Sequence, residues 1–251
     1  MANKTWKEYY FNYQLILANN YYIPLLQRLD ININGKKTLD VGCGDGGFIT
    51  AFSNSGAMST GIEVKDFKWD EDSKVNFIVA DIITNPDILQ NKLFDIIILR
   101  DVIEHINKDK KDTFITIVSN LLNENGIILI TFPPFLSPFG LHQQVFCKSI
   151  LRYIPFLSLL PWQLLKVLFY IFRENTQSIN EMYEVKQSSM KINKFLKIIK
   201  KLQLKVTYEE FYFIRPSHEL RYGFKVIRTF LGKVPIIREL FVTGTVFILK
   251  K

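Results

Sequence analysis

The run Lys37-Thr-Leu-Asp-Val-Gly-Cys-Gly-Asp-Gly-Gly-Phe48 joins an apolar segment to four closely spaced glycines. The apolar segment predicts a buried strand, and the spacing of Phe48 and Phe52 after the glycines predicts a helix. Glycine adopts positive φ without steric penalty and lets a ligand approach the backbone closely. Because the N-terminus of a helix also offers unpaired N–H groups, this strand, turn and helix predict a nucleotide-binding loop.

Short runs rich in Ile and Val follow this loop and alternate with helical patterns. Such alternation is typical of βαβ units around a parallel sheet, and nearly continuous apolar strands indicate a sheet covered on both faces. The predicted strands are 37–41, 58–63, 75–80, 94–99 and 126–132, followed by strand-like stretches at 204–214 and 243–250.

Further helices are predicted where apolar residues recur at helical spacing. They fall within a helical cover at 1–30, at 114–122, at 192–202 and at 221–231. In the cover, an amphipathic helix over the carboxyl edge of the sheet would carry Trp6, Tyr9, Tyr10, Tyr13, Ile16 and Leu17. The helix at 114–122 is expected to be closed by Asn125-Gly126, because glycine favours helix C-termini.

Two acidic residues stand at the ends of the next strands. Glu63 lies 21 residues after Gly42, where a carboxylate can accept both hydroxyls of a ribose. Asp81 ends the third strand and is placed to accept from an adenine amino group. The alternative for Asp81 is a structural one, in which it caps the turn at 85–90.

The glycines alone leave two cofactor classes open, because Gly42, Gly44 and Gly47 also match the G-x-G-x-x-G pattern of nicotinamide-dependent oxidoreductases. Their surroundings are more specific. An aspartate, Asp40, precedes the first glycine, and Arg100-Asp-Val-Ile-Glu-His105 follows the fourth strand. Over about residues 37–133 the chain resembles the class I S-adenosylmethionine-dependent methyltransferases, in the branch whose fourth strand is followed by Asp-Val-Leu/Ile-Glu-His-Ile/Val.

The resemblance implies an α/β, Rossmann-like, doubly wound sheet of seven strands in the order 3-2-1-4-5-7-6, with the last strand antiparallel. The sequence itself adds a helical insertion after strand five. The resemblance places S-adenosyl-L-methionine across the ends of strands one to four. By position, the methionine moiety would be held by Asp40, Gly42, Gly44 and Gly46, the ribose by Glu63, and the adenine by Asp81 and Ile82. Arg100 and Asp101 would close the methionine side, although Arg100 departs from the small or polar residue common there.

Methyl transfer from a sulfonium requires alignment of donor and acceptor and exclusion of water, and it requires no metal. An oxygen acceptor usually needs a base, and the candidates are His142 and His105, since imidazole titrates near neutrality. The alternative for His105 is that it bridges the sheet to the cofactor. Phe132-Pro-Pro-Phe135 lacks the first-position Asn or Asp of amino-directed methyltransferases, which disfavours amino methylation of a base.

The charge is divided unevenly along the chain, whose net charge is +8. Residues 1–134 hold 13 Lys and Arg against 17 Asp and Glu, whereas residues 135–251 hold 19 against 7. The basic half indicates an anionic acceptor, a nucleic acid or a negatively charged membrane surface, unless it is simply a solvated lysine-rich surface. The acidic half argues against nucleic acid covering the whole molecule.

Residues 135–187 form an insertion within a single predicted domain, 1–251. Within it, the 23 residues of Ile150–Phe172 include 17 apolar ones, interrupted by two prolines, a glutamine and two cations. These interruptions argue against a lipid-exposed spanning helix and predict two short helices. The insertion is expected to act as a lid over the acceptor pocket, as a peripheral membrane contact through 150–172, or as both.

The sequence therefore predicts a methyltransferase acting on a small or lipid-linked acceptor, with oxygen as the expected atom. An oxidoreductase, an RNA-directed methyltransferase and a non-catalytic binding module are the alternatives. Only two cysteines occur, Cys43 and Cys147, and the first residues have no secretory pattern. We therefore expect no metal, and a cytoplasmic protein that can lie on the inner face of the membrane.

Overall fold

Eight strands form one mixed sheet in the computed structural model, which describes residues 6–235 and 237–251. They are β1 (Lys37–Val41), β2 (Met58–Glu63), β3 (Asn76–Val79), β4 (Phe94–Arg100), β5 (Leu122–Phe132), β6 (Lys205–Ile214), β7 (Ile227–Arg228) and β8 (Gly244–Lys250). Their order is β3-β2-β1-β4-β5-β8-β6-β7. The first five are parallel, and β8 runs antiparallel to both β5 and β6. The predicted fold is confirmed, with the short edge strand β7 in addition.

Ten α-helices lie in the described part of the chain. They are α1 (Trp6–Leu17), α2 (Ile23–Arg28), α3 (Gly47–Asn54), α4 (Lys111–Asn120), α5 (Gln143–Phe146), α6 (Trp162–Ile171), α7 (Thr176–Ser188), α8 (Ile192–Lys201), α9 (Pro216–Tyr222) and α10 (Arg238–Phe241). A π turn, Ala18–Tyr22, joins α1 to α2. Residues 1–5 of the predicted N-terminal cover lie outside the described residues.

The sheet has a core on each face, as its apolar strands predict. On one face α4 and α8 pack against alternate residues of the central strands, such as Ile97 and Ile128. On the other face α1, α2 and α3 pack against the residues between them, such as Ile96 and Leu129. Burying both faces stabilises the parallel strands and leaves their carboxyl edge to carry the site.

The helix predicted at 221–231 is wrong. The structure has α9 at Pro216–Tyr222, which ends at Gly223 with φ of 73°, and then the edge strand β7. β7 pairs antiparallel with β6, where Tyr212 lies opposite Arg228, and the Arg228 guanidinium donates to the Glu210 carboxylate. Cross-strand pairing therefore overrides the local helical spacing.

The predicted end of the helix before β5 is also wrong. The helix α4 ends at Asn120, and β5 begins at Leu122, so Asn125-Gly126 lies inside the strand. The register of β5 on β4 shifts there. A Cβ on Gly126 would lie 2.8 Å from Leu122 Cδ1 and 3.0 Å from the Asp95 carbonyl oxygen. The glycine therefore serves a strand irregularity and does not close a helix.

The segment 150–172 differs from the predicted pair of short helices. It contains two 3₁₀ turns, Ile150–Tyr153 and Leu157–Leu159, and then α6. Pro155 and Pro161 separate these pieces because proline interrupts helical hydrogen bonding. The insertion has a small core of its own, which includes Leu151, Leu157, Leu165, Phe169, Met182 and Val185.

Candidate functional site

The loop after β1 turns through three glycines with positive φ. Gly42, Gly44 and Gly46 have φ of 75°, 54° and 84°. A Cβ on Gly42 would lie 2.6 Å from Val102 Cγ2, closer than real Cβ atoms approach a neighbour. At Gly44 the nearest atom would be the Gln14 side-chain nitrogen at 3.3 Å. Of these two, Gly42 is the position where only glycine fits.

The buried side chain of Gln14 on α1 holds the glycine loop in place by two hydrogen bonds. Gly47 donates its N–H to Gln14 Oε1 at 3.0 Å, and Gln14 Nε2 donates to the Cys43 carbonyl at 3.4 Å. A Cβ on Gly47 would overlap the Phe11 carbonyl oxygen, so the glycine lets α1 cross the start of α3. Sequence reasoning missed Gln14, although a lone polar residue between the apolar positions of a helix was the available signal.

Replacing Gln14 with alanine is expected to lower the free energy of unfolding by about 1–3 kcal/mol, because the buried Gly47 N–H loses its acceptor. Urea denaturation followed by circular dichroism measures this change. Gln27→Ala is the matched control, since Gln27 is exposed on α2. An equal loss of stability in the two variants would contradict the role assigned to Gln14.

Two aromatic side chains support the loop from the side of β3. Trp69 donates its indole N–H to the Gly44 carbonyl at 2.9 Å. Its ring stacks on Phe77 with centroids 4.7 Å apart and an interplanar angle of 5°. A Cβ on Gly46 would meet this Phe77 ring. Sequence reasoning missed this pair as well, because Trp69 lies in an irregular segment with no motif.

A cleft of about 460 Å³ opens at the carboxyl ends of β1, β2, β3 and β4. Of the predicted site residues, it brings together Gly42, Glu63, Asp81, Ile82, Asp101 and His105. Asp40, Gly44, Gly46 and Arg100 are not in its lining. The last of these, Arg100, instead lines a small cavity of about 10 Å³ together with Asp101.

The two predicted acidic residues lie on one side of the cleft. Glu63 accepts from the Gly44 N–H at 3.0 Å and from the Val64 N–H at 2.8 Å. Asp81 Oδ1 accepts from the Ile83 N–H at 2.8 Å, so it caps its own turn rather than the 3₁₀ turn at Pro86–Leu89. Since a carboxylate oxygen accepts more than one hydrogen bond, both side chains keep acceptor capacity toward the cleft.

Asp101, which lines the cleft, belongs to a partly buried ion-pair group. It accepts from the Thr131 hydroxyl at 3.0 Å and pairs with Arg215 at 3.1 Å, and Arg100 lies 3.9 Å away. Burial alone would favour its neutral form, but the two guanidinium groups and the hydroxyl outweigh burial and lower its pKa to about 2. Asp101 is therefore a fixed negative charge.

Asp40 lies under the glycine loop and is almost completely buried. Burial raises the pKa of its carboxyl to about 7, against the opposing effect of Arg100. The Arg100 guanidinium lies over the Phe48 ring, 5.4 Å from its centroid. Arg100 therefore contributes a buried positive charge behind the loop, next to both aspartates.

The two candidate bases lie beside each other, although 36 residues separate them along the chain. The His105 and His142 rings are 5.9 Å apart and meet edge to face. Burial, with the nearby His105 and Arg215, lowers the pKa of His142 to about 3, so this imidazole is neutral near pH 7. His142 has φ of 59°, a left-handed conformation that Asn, Asp and His adopt more readily than most residues.

A buried carboxylate, Glu104, adjoins this histidine pair and was missed at the sequence level. Its Oε1 lies 4.0 Å from His105 Nε2, and neither oxygen has a hydrogen-bond partner among the described residues. Burial raises the pKa of this carboxyl. Burial likewise lowers the pKa of the neighbouring Lys111 to about 7. Both groups are therefore held closer to their neutral forms than in water.

Comparisons with known proteins identify the family and the fold of this chain. The family model described as a methyltransferase domain matches residues 13–154, more than half of the chain. A comparison with curated proteins gives no match. Among solved structures, an S-adenosylmethionine-dependent methyltransferase from Archaeoglobus fulgidus superposes with a TM-score of 0.57 at 18% identity, covering 97% of this chain and 100% of that chain.

Two further structures have the same fold. Magnesium protoporphyrin IX methyltransferase from Synechocystis, with bound S-adenosylhomocysteine, gives a TM-score of 0.53 at 12% identity, covering 100% of this chain and 90% of that one. The plantazolicin methyltransferase in complex with the same compound gives 0.53 at 15% identity, covering 96% and 84%. At these identities the likeness establishes the shared fold.

Proposed function

Since this chain belongs to the methyltransferase domain family, we propose that it binds S-adenosyl-L-methionine in the cleft beside Gly42 and catalyses methyl transfer to a small or lipid-linked acceptor. The proposal rests mainly on one observation. The loop backbone at Gly42, which has no room for a side chain, lies in the same cleft as the carboxylates at the ends of β2 and β3. Relatives of the same fold have bound S-adenosylhomocysteine, which supports this choice of cofactor.

The residues of the cleft fit such a compound. A Cβ at Gly42 would narrow the cleft there, so its glycine permits close approach of a ligand. Glu63 offers two carboxylate oxygens to the hydroxyls of a ribose, and Asp81 offers one to an amino group. The apolar side chains of Ile82 and Val102 line the same cleft and suit the faces of a purine. When bound, the cofactor supplies the methyl group on its sulfonium sulfur.

We assign the remaining predicted residues to the environment of the cleft. Asp101 provides a fixed negative charge at the cleft. Asp40 and Arg100 lie beneath the glycine loop, where the Arg100 guanidinium partly offsets the effect of burial on the pKa of Asp40. The neutral His142 has a lone pair that is free to accept a proton from an acceptor hydroxyl, although its lowered pKa makes it a weaker base than an ordinary imidazole. His105 lies next to it on the cleft. An oxygen acceptor therefore suits these residues, because such an acceptor loses a proton as it is methylated.

The geometry disfavours the oxidoreductase alternative. A dinucleotide places its pyrophosphate on the free N–H groups at the start of the helix after the first strand. Here the Gly47 N–H is taken by Gln14, and α1 covers this helix start closely. The RNA-directed alternative has no specific support, since the cleft lies in the half of the chain with net negative charge.

The two cysteines are both free and buried. This fits the proposed cytoplasmic location, in which thiols stay reduced.

Isothermal titration calorimetry with S-adenosylhomocysteine and, separately, with NAD⁺ tests the cofactor assignment. We expect binding of the first compound and none of the second. Saturable binding of NAD⁺ without binding of S-adenosylhomocysteine would overturn the proposal in favour of the oxidoreductase.

Glu63→Ala is expected to weaken S-adenosylhomocysteine binding by about 10- to 100-fold, because hydrogen bonds to a charged group contribute about 1.5–3 kcal/mol. The same titration measures the loss. Glu71→Ala is the matched control, since Glu71 is exposed in the segment between β2 and β3. Unchanged affinity in Glu63→Ala would remove this carboxylate from the ribose site.

A further inference from the structure

The helix α6 in the insertion has apolar side chains on both of its sides. Leu165 and Phe169 are fully buried in the core of the insertion. The opposite side, which we call the outer face of α6, consists of Leu164, Val167, Tyr170 and Ile171, which are exposed by 54%, 55%, 85% and 61%. Surface helices ordinarily turn charged or polar residues outward, so this arrangement requires an explanation.

Three residues of the preceding 3₁₀ turns are apolar and exposed as well. Ile150, Tyr153 and Leu159 are exposed by 60%, 69% and 50%. We call these three residues, together with the outer face of α6, the docking surface. Single exposed apolar residues are common on proteins, whereas a group of seven within 22 consecutive residues indicates an interaction surface.

The charged residues of the segment 148–173, which carries the docking surface, have one sign. Lys148, Arg152, Lys166 and Arg173 are all exposed. The sequence has no Asp or Glu between Glu124 and Glu174. The Glu174 carboxylate is engaged locally, because it accepts from the backbone N–H groups of Lys148 at 3.0 Å and Ser149 at 2.9 Å. The partner of the docking surface should therefore offer an apolar region to the exposed apolar side chains and negative charges to the neighbouring cations.

We propose that the docking surface binds to the face of a bilayer that contains anionic lipids, with α6 lying in the plane of the interface. A helix of ten residues is about 15 Å long, whereas the hydrocarbon core is about 30 Å thick. Among the described residues, no helix has the length and apolar character needed to cross a membrane. An in-plane helix with apolar residues below and cations beside them is the usual interfacial arrangement.

The same charges disfavour a second copy of this chain as the occupant. A two-fold symmetric contact would place the docking surface against itself, because both copies use the same patch. The cations Lys148, Arg152, Lys166 and Arg173 of both copies would then be brought together, and the segment that carries them has no Asp or Glu to pair with them. An anionic lipid surface satisfies both the apolar residues and these cations.

A buried glutamine connects the docking surface to the turn that carries His142, the candidate base beside the cleft. Gln143 follows His142 directly, and its Nε2 donates to the Ile154 carbonyl at 2.9 Å and to the Pro138 carbonyl at 3.2 Å. The turn that carries His142 is thereby joined to the segment between the two 3₁₀ turns. Docking would hold His142 and the adjoining end of the cleft near the lipid headgroups. A lipid-linked acceptor, which is part of the proposed function, is presented there.

Co-sedimentation with vesicles tests the proposal, and its outcome does not depend on whether the chain binds a cofactor. We expect the full chain to bind vesicles of phosphatidylcholine mixed with phosphatidylglycerol at low salt and to bind pure phosphatidylcholine vesicles at least fivefold less. High salt should weaken the binding, because it screens the cations. Absence of binding at low salt, or equal binding to both vesicle types, would overturn the proposal.

Variants separate the apolar and charged contributions. Leu164→Glu/Val167→Glu is expected to weaken binding to the mixed vesicles at least tenfold, and Lys166→Glu at least fivefold, since one cation near such a surface contributes about 1 kcal/mol and the reversal also adds a repelled negative charge. The controls Met58→Glu and Lys36→Glu alter exposed residues at the opposite, amino edge of the sheet and should leave binding unchanged. Thermal melts verify that each variant is folded.

Two results in the variants would contradict the lipid assignment. One is unchanged vesicle binding in folded Leu164→Glu/Val167→Glu and in Lys166→Glu. The other is a dimer in sedimentation equilibrium that Leu164→Glu/Val167→Glu converts to a monomer, since the docking surface would then be covered by a second copy.

Discussion

Replacing Gly42 with alanine is expected to weaken binding of S-adenosylhomocysteine more than about 100-fold. The added Cβ would lie 2.6 Å from Val102 Cγ2, and the residue would have to keep φ of 75°. The left-handed conformation costs about 1–2 kcal/mol in a residue with a Cβ, and overpacking costs about 1–3 kcal/mol more. In the free protein the loop is expected to move and relieve this strain. Ligand binding must then return the loop to the strained position, so the strain energy is lost from the binding free energy.

The matched control for this substitution is Gly35→Ala. Gly35 has φ of 72°, but an added Cβ there meets no atom within 4 Å. The two variants therefore share the backbone strain, and only Gly42→Ala adds the steric overlap. Calorimetric titration below the melting temperature of each variant should show the wild-type affinity for Gly35→Ala alone.

The double variant Gly42→Ala/Val102→Ala identifies the cause of the loss. Removing the Val102 methyl groups removes the overlap, so the double variant should bind more tightly than Gly42→Ala, although less tightly than the wild type because Val102 also lines the cleft. Wild-type affinity in the single variant Gly42→Ala would show that the loop does not approach the ligand and would contradict the site.

Replacing His142 with asparagine is expected to slow methyl transfer by about 100-fold, the lower end of the range that general bases contribute, because the lowered pKa makes this imidazole a weak base. Asparagine tolerates the left-handed conformation of this position, where φ is 59°. It therefore removes the imidazole with little change of backbone. Affinity for S-adenosylhomocysteine should stay within about twofold, because His142 is not part of the cleft lining. Single-turnover rates with an accepted substrate measure the effect.

His218→Asn is the control, since burial also lowers the pKa of His218 to about 3. Its ring contacts Arg215 and has no place in the proposed proton transfer. We expect it to retain most of the wild-type rate. An equal loss of rate in both variants, or no loss in His142→Asn, would remove His142 as the base.

The lowered pKa of His142 also makes a prediction about stability. The folded-state pKa, about 3, lies below the ordinary value of 6.5, so the unfolded chain takes up a proton first as the pH falls. The free energy of unfolding therefore decreases as the pH drops from 6.5 toward 3, by up to about 1.4 kcal/mol per pH unit for one group. His142→Asn should lower this slope, and an unchanged slope would indicate that the imidazole is not buried in neutral form.

The central sheet could be predicted from the sequence because its strands are buried on both faces. Runs such as 94–99 and 126–132 are short and almost entirely apolar, which is typical of parallel strands that are covered by helices on both faces of the sheet. The glycine loop could be predicted as well, because positive φ at Gly42 limits the residue type. Both features are determined by local chemistry.

The parts that could not be predicted depend on contacts between distant residues. Arg215 reaches Asp101 from the turn after β6, 114 residues away along the chain. The Gln14 contact with Gly47 requires the crossing of α1 over α3, which no local pattern indicates. The same holds for β7, whose two residues are ordered by pairing with β6 rather than by their own propensity.

A crystal structure grown with S-adenosylhomocysteine tests the central claim most directly. The account predicts that the compound occupies the cleft at the carboxyl ends of β1 to β4, with its ribose hydroxyls on Glu63, its adenine near Asp81 and Ile82, and its sulfur toward the side of His142. The compound bound at another place, or no binding in crystals whose cleft is open to solvent, would contradict the account.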